Sequence, residues 1–120
     1  MSASVLLPAR DRLNDAVQEM ATVRDAELPG WSRVAFTEPD IEGRRWVARR
    51  MRTAGLETHI DAVGNVIGVL PGTSPSAPAI VTGSHTDTVP GGGRFDGVVG
   101  VLGAIEMVEM LREASLRLTH

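Results

Sequence analysis

The run DGVVGVLGAIEMVEMLRE, residues 96–113, constrains this chain more than any other stretch. Val98, Val101, Leu102, Ile105 and Val108 recur at helical spacing, and Val99, Ala104 and Leu111 widen the stripe. Glu106, Glu109 and Glu113, with Arg112, form the only polar edge, and the three glutamates read as its solvated side. A helix this apolar needs cover on most sides. Upstream of it lie a glycine-rich loop and AIVTGS, residues 79–84. That short apolar run, bounded by turn residues, predicts an interior strand covered on both faces. A buried strand leading into a buried helix argues for an α/β fold of three layers, α-β-α, around a partial mixed sheet.

The upstream residues supply the other layers. Leu13, Val17, Met20 and Val23 predict a helix over 9–26, ended before Pro29 and Gly30. A second helix is predicted from Thr37 as N-cap, with Asp40 as an acidic variant of the capping box. Pro39 suits its first turn, Val47, Met51 and Ala54 its apolar stripe, and Gly55 its C-cap. Leu56, Thr58 and Ile60 then alternate with Glu57, His59 and Asp61, giving one buried and one wet strand face. Gly64 and Asn65 make a tight turn into a strand over 65–70. Trp31 and Trp46 read as packing residues, and His120 as a frayed end. The order is α-α-β-β-β-α, with no repeat, and 120 residues make one small domain.

Composition narrows the chemistry. All twelve basic residues are arginine, so no lysine is available for a Schiff base or a Walker-type phosphate loop. There is no cysteine, which removes thiol nucleophiles, disulfides and cysteine-ligated zinc. A net charge of −3 gives no reason to expect nucleic acid or an anionic membrane as partner. The opening MSASVLLPARDRLND has a three-residue apolar run before Pro8, too short for a signal-peptide core, so the default expectation is cytoplasmic. Any metal must be held by His, Asp and Glu, a donor set that suits Zn, Mn, Co or Ni.

The stretch after the predicted third strand carries a candidate donor set. His85 and Asp87 are two apart, so an extended backbone points both to one side. The end of a sheet strand is where open α/β folds place their chemistry. A neutral imidazole binds divalent metal, and a carboxylate on its other nitrogen fixes the tautomer. Gly91, Gly92 and Gly93 permit positive φ and close backbone approach. Asp96 then arrives at a helix N-terminus, where its two oxygens can bridge two cations. Read residue by residue, an ordinary polar turn between a strand and a helix stays open beside metal chemistry. A dinucleotide site does not fit the glycines, because the third glycine position is taken by Asp96, whose charge repels phosphate.

Taken whole, GSHTDTVPGGGRFDGVVGVLGAIEMV closely resembles the metal-binding segment of the N-carbamoyl-L-amino-acid hydrolase and allantoate amidohydrolase group, within the aminoacylase-like dinuclear metallopeptidases. FTEPDIEGRRWVARRMRTAGLETHIDAVGNVIGVLPG is similar to the region upstream in those enzymes, so the resemblance runs from about Arg10 onwards. DTVPGGGRFDG resembles the carbamoylase side more than the allantoate side. The resemblance implies hydrolysis of a C–N bond in a small ureido or N-acyl amino acid. It implies two divalent ions, a metal-bridging water as nucleophile and a glutamate as general base. His85 matches a ligand of one metal, Asp96 the carboxylate bridging both, and Asp87 the aspartate orienting the histidine.

The family's base and next ligand form an adjacent Glu-Glu pair, and this chain has none. The later ligands, the substrate-gripping arginine and the inserted domain through which family members form homodimers are also unmatched. Residues 1–120 are therefore expected to be a single partial domain, the N-terminal segment of a catalytic domain, with at most a half-site for metal. Two ligands fall short of the three that a catalytic zinc takes from protein. The expected behaviour alone is a marginal or aggregation-prone domain, inactive without a general base. The competing expectation is a non-catalytic binding or subunit-association module built on the same strand, loop and helix.

Overall fold

The computed structural model describes residues 5–120. Met1–Ser4, part of the stretch read against a signal peptide, lie outside the described residues. Three helices and a two-stranded sheet follow in the order α1 (Arg10–Thr22), α2 (Glu38–Thr53), β1 (Glu57–Ile60), β2 (Val66–Val69) and α3 (Val98–Glu113). Among the described residues no helix is long and apolar enough to cross a membrane.

α1 stops four residues before its predicted end. Its last turn contains no basic residue of its own. Instead the guanidinium of Arg33 folds back and donates from Nη1 to the carbonyls of Val23 at 2.6 Å and Met20 at 3.3 Å. A cation at this end complements the helix dipole and occupies carbonyls that further turns would need.

α2 begins after Thr37, as its sequence predicts, but the cap is rearranged. The Thr37 hydroxyl donates to the Val34 carbonyl at 2.6 Å. Asp40, 1 % exposed, accepts the Phe36 N–H at 2.8 Å and the Arg44 guanidinium at 2.6 Å. Asp40 thus reaches back one residue further than a capping box requires. At the other end Ala54 is the C-cap, and Gly55 follows with φ +94°.

β1 and β2 form an antiparallel hairpin, with Glu57 opposite Val69 and Ile60 opposite Val66. Asp61 closes the turn by accepting the N–H groups of Val63 and Asn65 on Oδ1. These bonds hold its carboxyl pKa below the ordinary value, the side-chain amide of Asn65 contributing most. The hairpin packs on α2, while α1 lies along α3. Leu56 is buried and Thr58 half-buried, but Ile60 is exposed, so the inward face of β1 fades towards the turn.

The core joins Ala16, Val17 and Met20 of α1, Val47 of α2, Ala54 and Leu56, and Val98, Val101, Leu102, Ile105 and Val108 of α3. The apolar spacing of α3 is therefore realised as packing. Its polar edge is not simply solvated: Glu106 is 4 % exposed. Both of its oxygens accept hydrogen bonds from Arg12 at 2.7 Å, and Oε1 also takes the Ala9 N–H at 2.7 Å. Glu109 and Glu113 also pair with Arg12, so one α1 cation ties down all three glutamates.

The α/β class holds, but only the antiparallel hairpin of the expected mixed sheet forms among the described residues. AIVTGS is not a strand. No backbone–backbone hydrogen bond joins residues 79–87 to a neighbour among the described residues, and Ile80 and Val81 are 71 % and 88 % exposed. A strand exists only through ladder bonds to another strand, and this segment has none. The carboxy-terminal residues are not loose either: Thr73 and Ser74 donate to the carbonyls of Leu118 and Thr119, and His120 Nδ1 lies 3.0 Å from the Pro78 carbonyl.

Candidate metal centre

The site is assembled where residues 84–97 cross the start of α3. Residues 30–33 hold this segment from below. Arg33 N–H donates to Thr88 Oγ1 at 2.8 Å, and Thr88 N–H returns to the Arg33 carbonyl at 2.9 Å. Trp31 N–H donates to the Gly92 carbonyl, and Gly91 N–H to the fully buried Ser32 hydroxyl. The glycines serve this contact unequally. Gly91 takes φ +73°, and Gly92 lies so close to Thr88 that a Cβ would meet Thr88 Cβ at 2.9 Å. Gly93 uses neither freedom.

α3 begins at Val98 with Gly97 as N-cap, φ +68° and ψ −47°. Asp96 therefore does not cap the helix with its side chain. Its carbonyl accepts the Val98 N–H at 2.7 Å, and its carboxylate is 90 % exposed. Gly97 leaves the space into which His85 fits: a Cβ there would lie 2.4 Å from the His85 carbonyl oxygen and 2.6 Å from its Cε1. Gly100, one turn on, similarly accommodates Ser84.

Three predicted residues meet here. His85 Nε2 lies 3.6 Å from Asp96 Oδ2. The other ring nitrogen, Nδ1, lies 3.0 Å from the Asp87 carbonyl oxygen and 3.4 Å from its Oδ1. The hydrogen-bonding partner of the ring is thus the Asp87 backbone, with the carboxylate alongside at ion-pair distance. Either oxygen favours the Nδ1–H tautomer, which leaves the Nε2 lone pair facing Asp96. The donor types and the exposure of the pair fit a divalent ion, as two ligands. Among the described residues no group of three His, Asp or Glu side chains gathers to complete a cage. His59 and His120 lie elsewhere, in β1 and at residue 120.

Sequence reasoning missed four contributors: Ser32, Arg33, Thr88 and Gly97. Gly97 carried a readable signal, a glycine between Asp96 and an apolar run. The other three sit in stretches without periodicity, and the contacts that join residues 32–33 to 88 and 91 span 55 to 59 residues. The tryptophans differ from each other. Trp46 packs partly buried against the core. Trp31 is 38 % exposed with the Arg94 guanidinium 5.3 Å above its ring, and Phe95 stands 5.0 Å from the same guanidinium.

No family model matches the chain. Individual proteins do. Ureidoglycolate hydrolase of Arabidopsis thaliana is 43% identical over 105 residues, which cover 88% of this chain and 22% of that protein. N-carbamoyl-L-amino-acid amidohydrolase of Pseudomonas sp. (strain NS671) is 38% identical over 112 residues, covering 93% and 27%. A solved hydantoinase/carbamoylase family amidase from Burkholderia ambifaria superimposes with a TM-score of 0.89 at 37% identity, over 95% of this chain and 28% of that one. The chain is thus similar to a part of these amidohydrolases. It spans about a quarter of the length of the family members it matches. Ureidoglycolate hydrolase was not among the activities suggested by the motif, whereas N-carbamoyl amino acid hydrolysis was.

Proposed function

We propose that this chain contributes a metal half-site to an amidohydrolase acting on the C–N bond of a small ureido acid, such as an N-carbamoyl amino acid. The observation that carries the proposal is the approach of His85 Nε2 to Asp96 Oδ2, with Nδ1 held by Asp87. His85 and Asp96 are its protein ligands, and Asp87 orients the imidazole. His85 and Asp96 would hold a divalent ion, and their donor types suit Zn, Mn, Co or Ni. A bound divalent ion supplies Lewis acidity to a carbonyl and a hydroxide-like water at neutral pH.

The chain's own part is to hold the donors. Asp87 keeps the proton on Nδ1, so that Nε2 presents its lone pair. Gly97 lets the ring lie against the start of α3. The chain has no Glu-Glu pair to act as base and further ligand. The half-site therefore works only with those groups supplied by another stretch of polypeptide. Pairing of residues 79–84 with further strands would complete the three-layer α-β-α arrangement. The exposed Ile80 and Val81 favour a second reading, in which the chain serves as a non-catalytic association module.

Calorimetric titration of Zn²⁺ and Mn²⁺ into the chain separates the two readings. The half-site gives micromolar or tighter binding that is lost in a His85→Ala, Asp96→Ala double variant. Equal binding in both proteins, or none, refutes it and leaves the association module.

A further inference from the structure

Arg33 is 1 % exposed, yet among the described residues it forms no ion pair. Burial pulls its guanidinium pKa down, while the charges of Asp40 and Asp87 oppose that from a distance. A buried cation is costly, and an apolar side chain of similar size commonly serves stability as well or better. Every hydrogen bond that Arg33 makes goes to backbone carbonyls or to Thr88. Nη1 reaches Val23 and Met20 at the end of α1, and Nε donates to the Thr86 carbonyl at 2.8 Å. Thr86 stands between His85 and Asp87, so the orientation of its peptide sets the side to which both side chains point. The backbone of Arg33 grips the next residue, Thr88, from both directions. α2 makes room for this side chain: a Cβ on Gly43 would lie 2.8 Å from Arg33 Cδ and 3.3 Å from Nε.

We infer that Arg33 is a positioning residue, which fixes residues 85–88 against the end of α1 so that the His85 ring faces Asp96. Its planar fork spans two sets of carbonyls that a single ammonium cannot reach together. The affinity part of the test rests on the metal reading above; the geometric part does not.

The experiment compares the wild-type chain with Arg33→Met, Arg33→Lys, Gly43→Ala and Val47→Ala. Two quantities are read: Zn²⁺ affinity by calorimetry, and the NMR nuclear Overhauser contact between His85 Hε1 and the Gly97 α-protons. Gly43→Ala keeps the guanidinium but displaces it, and it favours the helix, so it covers the case in which Arg33→Met fails to fold. Val47→Ala removes core volume but none of the groups that Arg33 hydrogen-bonds, and controls for lost stability. Positioning predicts that both Arg33 variants and Gly43→Ala lose the contact and bind Zn²⁺ about 10- to 100-fold more weakly, with Val47→Ala close to wild type. If Arg33→Met keeps the contact and the affinity, or Val47→Ala loses them equally, Arg33 only stabilises the fold and the inference is overturned. Absence of the contact in the wild type also overturns it. If the wild type binds no Zn²⁺ but its contact is lost only on displacing Arg33, the metal reading fails and the positioning role stands.

Discussion

Replacing Gly97 with alanine adds one methyl group where this fold has no space for it. The backbone there, φ +68° and ψ −47°, is one that side chains other than glycine rarely adopt, and holding alanine in it costs about 1–3 kcal/mol. The new Cβ would stand 2.4 Å from the His85 carbonyl oxygen, against an ordinary contact of 3.4–4 Å. Residue 85 must therefore move by roughly 1 Å, and overpacking of this kind adds about 1–3 kcal/mol. Together they amount to roughly 2–6 kcal/mol, a large share of the ~5–15 kcal/mol that holds a domain folded. Gly103 in the same helix is the control, because a Cβ there meets nothing within 4 Å. Gly103→Ala is expected to stabilise by about 0.5–1 kcal/mol through helix propensity. Urea unfolding followed by circular dichroism measures both variants. Effects of opposite sign support the reasoning. If Gly97→Ala unfolds at the same urea concentration as wild type or higher, His85 does not pack against α3 in this way.

The Arg12–Glu106 contact makes stability depend on acid. Arg12 hydrogen bonds, first among several causes, hold the Glu106 carboxyl below its ordinary 4.5. A carboxyl lowered on folding contributes fully above its unfolded value, and the contribution is lost as pH falls through the lower folded value. Glu106→Gln should therefore lower stability by ~1–3 kcal/mol at pH 7, and the gap to wild type should close below pH 4.5 in urea titrations at successive pH values. A gap that stays constant down to pH 3 would contradict that assignment. The exposed segment 79–84 yields a further expectation: Ile80→Lys with Val81→Lys should reduce self-association in sedimentation velocity without lowering the melting temperature. Unchanged association would show that this face is not what joins the copies.

Much of the site could be read in advance because its signals are local. His85 and Asp87 are two residues apart, and Asp96 stands just before an apolar helix, so short-range geometry suffices to bring them near one another. Helical period, with cap and breaker residues, located α1, α2 and α3 to within a few residues. The errors arise where distant partners decide the outcome. Glu106 looks like one of three solvated glutamates until Arg12, 94 residues away, lies across it. AIVTGS has the composition of a buried strand, but composition does not supply a ladder partner, and none pairs with it among the described residues.

What the sequence determined by itself is the order of the elements, the apolar faces and the identity of the donors, because each follows from period, turn chemistry or side-chain type. Tertiary structure alone decided that Arg33, in a stretch with no pattern, would be buried and would hold the backbone beneath His85. It also decided that Gly97, not Asp96, would cap α3, leaving the Asp96 carboxylate exposed and facing the imidazole. The physical reasons differ: Gly97 caps α3 because its left-handed backbone and missing Cβ let His85 pack against the start of the helix. The buried Arg33 guanidinium must find its partners wherever the fold brings them, and these lie 10 residues back at Val23, 13 back at Met20 and 53 on at Thr86.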